Sequence, residues 1–296
     1  MCGVFTRRDP KQIDAEGLEV HHIDDIENYT DKIDVLVLCS GSATDLPLQG
    51  PEMAKMFNVV DSFDTHAKIP EYYEKMNNAS NEGRKVSVIS TGWDPGMFSI
   101  NRLYGEAILP KGKVYTFLGP GVSQGHSQAI KEVKGVLNAI QYTIPVEEAM
   151  AVVLAGQTPD YTTREKHTRH CYIVAAEDAD KTAIEQEIRN MPNYFLDYDT
   201  TVNFISIEEF NKNHRKMPHG GFVITSGNTT KENKQVMEFS LKLENNPEFT
   251  ASIMLAYARA AYRLYKKGEI GAKTVFDIPP AMISTKTAEE LRREIL

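Results

Sequence analysis

The feature that most constrains this chain is a rhythm in its first 90 residues or so. Short apolar runs alternate with helical segments, and each run ends in a loop of small or acidic residues. Ile33-Asp34-Val35-Leu36-Val37-Leu38-Cys39 is apolar at almost every position, as a strand covered on both faces is, and it gives way to Ser40-Gly41-Ser42-Ala43-Thr44-Asp45. Residues 49–57 read as a helix, Asn58-Val59-Val60-Asp61 as a short strand and residues 68–79 as a second helix. Lys85-Val86-Ser87-Val88-Ile89-Ser90 is a further strand that stops at Thr91-Gly92-Trp93-Asp94-Pro95-Gly96. Cys2 to Phe5 reads as an earlier buried strand, followed by Thr6, Arg7 and Arg8. Strands and helices in this alternation form a parallel sheet covered by helices, and such sheets bind ligands at the carboxyl ends of their strands.

The rhythm changes after about residue 113. Segments 113–119, 136–144, 168–176, 200–207, 220–227 and 234–244 read as strands, with helices at 146–156 and 179–190. Thr201-Val202-Asn203-Phe204-Ile205 and the run from Val236 to Leu243 alternate apolar and polar residues, which predicts antiparallel strands with one wet face. A long helix at 248–267 carries a stripe through Ala251, Met254, Leu255, Ala258, Ala261, Tyr262 and Tyr265, expected to pack on a core, with Gly268 as its stop. The second part is therefore expected to be an α+β domain with an open sheet.

Bulk properties exclude little but point one way. With 41 acidic against 33 basic residues the net charge is −8, which disfavours nucleic acid as a partner because phosphate contacts need clustered cations. The three cysteines, Cys2, Cys39 and Cys171, have neither zinc spacing nor a disulfide pattern, so no metal is expected and a reducing cytoplasm fits. The longest apolar run, Val35 to Cys39, is far too short to span a membrane.

Several stretches could carry chemistry. Thr6-Arg7-Arg8 at a strand end is either a clamp for a 2′-phosphate, which would select NADP over NAD, or a solvated basic turn. The small residues of Cys39-Ser40-Gly41-Ser42 let backbone approach a ring or phosphate closely. Asp64 and Asp94 lie just past two parallel strands, where they could hold an ammonium group or cap helices; Asp94 before Pro95 also reads as a helix N-cap. Trp93, the single tryptophan, sits in a loop rather than on a periodic face, which favours a site. Gly119-Pro120-Gly121-Val122-Ser123-Gln124-Gly125-His126 and Met217-Pro218-His219-Gly220-Gly221 read as turns, and His219 between Pro and Gly is a candidate ligand contact. Arg169 and Thr143 are unremarkable alone.

Taken in order, VDSFDTH, VISTGWDPGMFSINR, GPGVSQGHS, MPHGG and NPEFTAS resemble the meso-diaminopimelate D-dehydrogenases. The resemblance runs along the whole chain, and Ser90 to Arg102 is its most specific stretch. It implies an NADP-dependent homodimer that reversibly oxidises the D-centre of meso-2,6-diaminopimelate to L-2-amino-6-oxopimelate and ammonia, in lysine and cell-wall precursor synthesis. It implies an α/β fold: a Rossmann-type parallel-sheet domain (1–118), N-terminally incomplete, and an α+β substrate and dimerisation domain with an open mixed sheet (119–270). Residues 271–296 are expected to return to the nucleotide domain.

The resemblance also implies roles. Thr6, Arg7 and Arg8 read the 2′-phosphate, and Cys39, Ser40, Gly41 and Ser42 form a second cofactor loop. Ser62, Phe63 and Asp64 touch cofactor and substrate, Thr91 and Gly92 the cofactor, and Trp93 and Asp94 frame the reacting centre. Leu118, Gln124 and Gly125 line the substrate, and Thr143, Arg169, His219 and Asn246 hold its distal L-centre and carboxylate. Two departures stand out. Leu118 replaces an aromatic wall and is expected to loosen the pocket. The family's opening strand and Gly-x-Gly-x-x-Gly turn do not precede Thr6, so that phosphate cradle is expected either to lie upstream of Met1 or to be missing. Rival expectations are a non-catalytic remnant that binds a diamino acid, and another NADP-dependent amino-acid or aldehyde dehydrogenase.

Overall fold

Strand β1 (Val4–Thr6) pairs in parallel with β2 (Val20–His22), and β3 (Leu36–Leu38) follows after a 3₁₀ segment. The computed structural model describes residues 3–296, so Cys2, expected to begin the first strand, lies outside the described residues. Next come α1 (Leu46–Ala54), β4 (Val59–Asp61), α2 (Ile69–Gly83), β5 (Val86–Val88) and α3 (Met97–Ile108). Every residue of β4 and β5 is buried, as expected of parallel strands covered on both faces. Helix α2 begins with proline in its first turn, where no backbone N–H is required, and ends at Arg84 in the left-handed conformation (φ 54°).

The second part contains β6 (Lys113–Leu118), β7 (Gly121–Val122), α4 (Gln124–Lys131), β8 (Val136–Pro145), α5 (Glu147–Leu154) and a short α6 (Thr163–Lys166). It continues with β9 (His167–Ala175), α7 (Lys181–Arg189), β10 (Asp199–Phe204), α8 (Ile207–Asn213), β11 (His219–Asn228), β12 (Lys234–Leu243) and α9 (Asn246–Lys266). The chain ends with β13 (Gly271–Lys273), two 3₁₀ turns and α10 (Ala288–Glu294).

Two compact units result. One comprises residues 1–100 and 250–296, the other residues 101–249, so the divisions fall within α3 and α9. In the first unit a four-stranded parallel sheet has the order β13-β5-β4-β3, and β1-β2 forms a separate parallel pair. Its core joins Leu46, Phe57, Val59, Phe63, Met76 and Ile89; burying such a side chain contributes about 1.5–3 kcal/mol. In the second unit β10-β9-β8-β7 and β12-β11-β6 form two sheets. Among the described residues no helix is long and apolar enough to cross a membrane.

Three expectations require correction. Thr201–Ile205 does not run antiparallel: β10 pairs with β9 in parallel, in register from Asp199↔Thr168 to Phe204↔Ile173. The physical reason is α7, a helical crossover that returns the chain to the end where β9 began; alternation reports a wet face, not strand direction. The buried face of α9 is formed by Ile253, Met254, Tyr257, Ala260, Ala261 and Leu264, while Leu255, Tyr262 and Tyr265 are exposed. That helix is apolar over most of its circumference, so two stripes compete in sequence. Helix α4 begins at Gln124, inside the stretch 119–126 that reads as a turn.

Candidate functional site

In the first unit, the loops that leave the carboxyl ends of β1, β3, β4 and β5 are tied to one another. Arg7 Nη1 donates to Asp45 Oδ1 at 2.9 Å, and Asp45 Oδ2 accepts from Gly41 N at 3.1 Å, which joins the end of β1 to the loop after β3. These hydrogen bonds hold the Asp45 carboxyl below the usual carboxylate range. The Arg7 side chain is still 66% exposed, so most of its N–H fork faces outward. Arg8 is exposed as well, and its N–H donates to Thr6 Oγ1 at 3.1 Å. Ser40 Oγ donates to Gln49 Oε1 at 2.5 Å. Ser42 Oγ accepts from Asp64 N at 2.8 Å, joining the loops after β3 and β4.

The loops after β4 and β5 meet at Asp61. This fully buried carboxylate accepts from Phe63 N, Ser90 N and the Tyr72 hydroxyl, and its main-chain oxygen accepts from Thr91. Burial pushes its carboxyl above the usual range, against the pull of the three donors. Residues 92–97 form a tight turn, with Gly92 N donating to Pro95 O at 2.9 Å and Met97 N to Gly92 O at 3.1 Å. Gly96 has φ +132°, and a Cβ there would collide with Gly92 O, so only glycine fits. Because α3 starts at Met97, Asp94 is not at its N-cap position; Asp64 is at none either, since Thr65 occupies that position of the next helical turn. Trp93 meets Phe98 edge-on at 5.1 Å.

In the second unit, Thr143 on β8 lies opposite Arg169 on β9 and opposite Gly121 on β7. Arg169 is 6% exposed; its Nη1 donates to Thr143 Oγ1, and its guanidinium stacks on the Tyr198 ring at 3.8 Å. Its Nε–H has no partner, and no carboxylate lies within ion-pair distance among the described residues. Burial pulls the Arg169 pKa down, while Tyr198 opposes this. A buried cation with a spare donor is costly unless an anion completes it. Around it, Val122 N donates to Pro218 O at 2.8 Å, Gly119 N to Gly220 O at 2.8 Å and Asn246 N to Met217 O at 3.1 Å. A Cβ at Gly121 would press on His219. Leu118 N donates to His167 Nε2 at 2.8 Å; burial holds His167 down at about 4, so it stays neutral and can accept that bond. Gln124 and Gly125 are exposed at the start of α4.

The candidate residues thus gather in each unit. Thr6, Arg7, Arg8, Cys39, Ser40, Gly41, Ser42, Ser62, Phe63, Asp64, Thr91, Gly92, Trp93 and Asp94 lie at strand ends and following loops of the first unit. Leu118, Gln124, Gly125, Thr143, Arg169, His219 and Asn246 belong to the second. Sequence reasoning passed over Asp45, Asp61, Tyr72, His167 and Tyr198. Asp61 was findable as an acidic residue closing an apolar strand; nothing in the sequence singles out Tyr198.

A parallel-sheet unit with a basic strand end, together with a mixed-sheet unit that buries an arginine with a spare N–H, makes this a two-unit α/β protein. The family model described as "Diaminopimelic acid dehydrogenase C-terminal domain" matches residues 92–245. The meso-diaminopimelate D-dehydrogenase of Acetivibrio thermocellus is 60% identical over 100% of this chain and 90% of its own length. A crystal structure of a mutant meso-DAP dehydrogenase from Clostridium tetani E88 with DAP is 54% identical, with a TM-score of 0.95 over 99% of this chain and 91% of that one. An engineered D-amino acid dehydrogenase bound to NADP+ is 41% identical, with a TM-score of 0.87 over 100% of this chain and 91% of that one. The chain belongs to the meso-diaminopimelate D-dehydrogenase family.

Proposed function

We infer that this enzyme catalyses the NADP-dependent, reversible oxidative deamination of the D-centre of meso-2,6-diaminopimelate, giving L-2-amino-6-oxopimelate and ammonia in lysine and diaminopimelate biosynthesis. The observation that carries this is Arg169: a buried guanidinium with an unused N–H and no anionic partner suits one carboxylate of a diacid. The parallel-sheet unit serves as the dinucleotide-binding domain and the other as the substrate-binding and dimerisation domain.

The residues present fit NADP at its 2′-phosphate end. Arg7 is anchored by Asp45 yet largely exposed, Arg8 is exposed beside it, and Gly41 stands where a Cβ would press on Thr44 and Asp45. Thr6, Arg7 and Arg8 would hold the 2′-phosphate, and Cys39 to Ser42, Ser62, Phe63, Asp64, Thr91, Gly92 and Trp93 would contact other parts of the bound cofactor. When bound, NADP+ supplies the hydride acceptor.

The protein's own residues do the remaining work. The substrate amine must be neutral when its carbon loses hydride, so Asp64 and Asp94 bind the ammonium and pass its proton to water. Water then adds to the substrate iminium carbon and ammonia leaves. Trp93 packs beside the reacting centre, while Gln124, Gly125 and Leu118 line the substrate. Arg169 holds the distal carboxylate through two parallel bonds, with Thr143, His219 and Asn246 around the L-centre, so only one end of a nearly symmetric diacid is presented for oxidation.

The proposal includes a homodimer in the cytoplasm. It is supported by the long edge strand β12, on which Val236 is 39% exposed, and by the unpaired thiols of Cys39 and Cys171. The test is NADPH formation by this chain with NADP+ and meso-diaminopimelate, compared with Asp94→Ala. Turnover that falls about a hundredfold in the variant, with the fold intact, supports the reading. No turnover by folded wild-type chain, or equal turnover by the variant, overturns it.

A further inference from the structure

Asp61 is 0% exposed, yet it is the residue through which two loops of the parallel-sheet unit are joined. Its Oδ1 accepts from Phe63 N and from Ser90 N, both at 3.0 Å. Its main-chain oxygen accepts from Thr91 N at 2.9 Å and Thr91 Oγ1 at 2.8 Å. Its Oδ2 accepts from the Tyr72 hydroxyl at 2.8 Å. Tyr72 stacks on Phe63 with ring centroids 4.1 Å apart and planes 21° apart, and Phe63 is 1% exposed. Its hydroxyl is boxed in by Gly50, where a Cβ would collide with it. Ser90 holds a left-handed conformation (φ 56°), which costs a non-glycine residue about 1 kcal/mol and persists only where its surroundings enforce it. The bond to Asp61 Oδ1 is one of the contacts that hold it there, with those of Ile89 and Thr91 on either side.

These bonds are more than strand pairing. β4 and β5 pair only at Val59↔Ser87 and Val60↔Val88, so the ladder stops before either loop begins. Beyond it, this side chain and its carbonyl join the loop that carries Asp64 to the loop that carries Trp93 and Asp94. We propose that Asp61, braced by Tyr72, is the positioning residue that sets the spacing of these two loops, and so of Asp64 against Trp93 and Asp94. The inference rests on the assignment of both loops to the cofactor and substrate site. Geometry makes one further demand: Oδ1 matters more than the charge, because Oδ1 takes both loop amides while Oδ2 faces only a hydroxyl that can donate or accept.

The experiment compares Asp61→Ala, Asp61→Asn and Tyr72→Phe with Met76→Ala, a core truncation on the same helix that removes none of these bonds. Trp93 is the only tryptophan, so emission of the free protein reports its loop directly. Amide exchange at Phe63, Ser90 and Thr91 reports the tie. Asp61→Ala is expected to shift the emission, speed those exchanges, raise the NADP+ dissociation constant about tenfold and lower kcat about a hundredfold, because displaced reacting groups lose rate steeply. Asp61→Asn keeps the acceptor and is expected to stay within about threefold of wild type in kcat, with Tyr72→Phe intermediate. Met76→Ala is expected to lower the melting temperature while leaving kcat within about threefold.

A folded Asp61→Ala or Tyr72→Phe with wild-type emission, exchange and kcat overturns the proposal. So does a Met76→Ala that matches their kcat loss, because the effect is then one of stability alone. If Asp61→Ala does not fold, Tyr72→Phe decides. If wild-type chain binds no NADP+, the site assignment fails, whereas emission and exchange still decide whether Asp61 ties the loops.

Discussion

Arg169→Met separates a binding role from a structural one with opposite signs. Methionine keeps the length and apolar stem of arginine but removes the guanidinium. In the folded protein that group is buried, makes a hydrogen bond to Thr143 and stacks on Tyr198, and has no carboxylate partner among the described residues. Losing the stack costs about 2 kcal/mol, and losing the hydrogen bond about 1.5–3 kcal/mol. Against this, the variant no longer buries an unneutralised cation, a penalty of several kcal/mol. The Thr143 hydroxyl keeps Gln141 Nε2 as a donor at 3.4 Å. The net change in stability is therefore expected to be within about 1 kcal/mol. Substrate binding has no such compensation. Two charge-assisted bonds to a carboxylate disappear, and the carboxylate stays buried, a loss of about 3–4 kcal/mol. At 1.36 kcal/mol per factor of ten, kcat/KM should fall about 10²–10³-fold, mostly through KM. Initial rates of NADPH formation and urea unfolding read the two quantities. A fall in kcat/KM of less than about tenfold would mean that Arg169 holds no substrate carboxylate. A stability loss above about 3 kcal/mol would show the guanidinium to be part of the scaffold.

Three further outcomes are expected. Arg7→Ala should raise the dissociation constant for NADP+ about tenfold or more and leave that for NAD+ unchanged; its pair with Asp45 is exposed, so the melting temperature should not move. Equal effects on both dinucleotides would refute the 2′-phosphate role. Gly96→Ala, at φ +132° and against Gly92 O, should destabilise by about 2 kcal/mol or more and lower turnover by moving Asp94; a neutral variant would contradict the turn geometry. His167 is neutral in the fold, with a pKa near 4, and takes a proton near 6.5 once unfolded. Between these values the unfolded chain binds more protons, so this contribution is complete above about pH 6.5 and is lost as the pH falls towards 4, up to about 3 kcal/mol. Urea midpoints of wild type and His167→Gln at pH 7 and pH 4.5 should therefore differ in slope, and parallel profiles would refute it.

What was legible in the sequence was local. The strand at Leu36–Leu38, the buried Val59-Val60 and Val86-Ser87-Val88, and the ten-residue β12 follow from alternation or continuous apolarity over a few residues, which chain geometry alone imposes. The loops proposed to carry the chemistry were singled out because small and acidic residues at the ends of parallel strands suit ligand binding. The longer motifs, read by resemblance, pointed to the family. What tertiary structure decided was non-local. The direction of β10 depended on the α7 crossover, and the buried face of α9 was chosen between two apolar stripes by what packs against it. The helix-cap reading of Asp94 fell because the turn at Gly92–Gly96 delays α3 to Met97. Asp61 looked like any acidic strand end until folding brought Ser90, 29 residues away, onto its carboxylate. Tyr198, 29 positions from Arg169, became its platform only through the β9–β10 pairing. The amino-acid sequence specifies which residues can bind or react. Long-range pairing decides which of them meet, because contact energies depend on distances that no local pattern encodes.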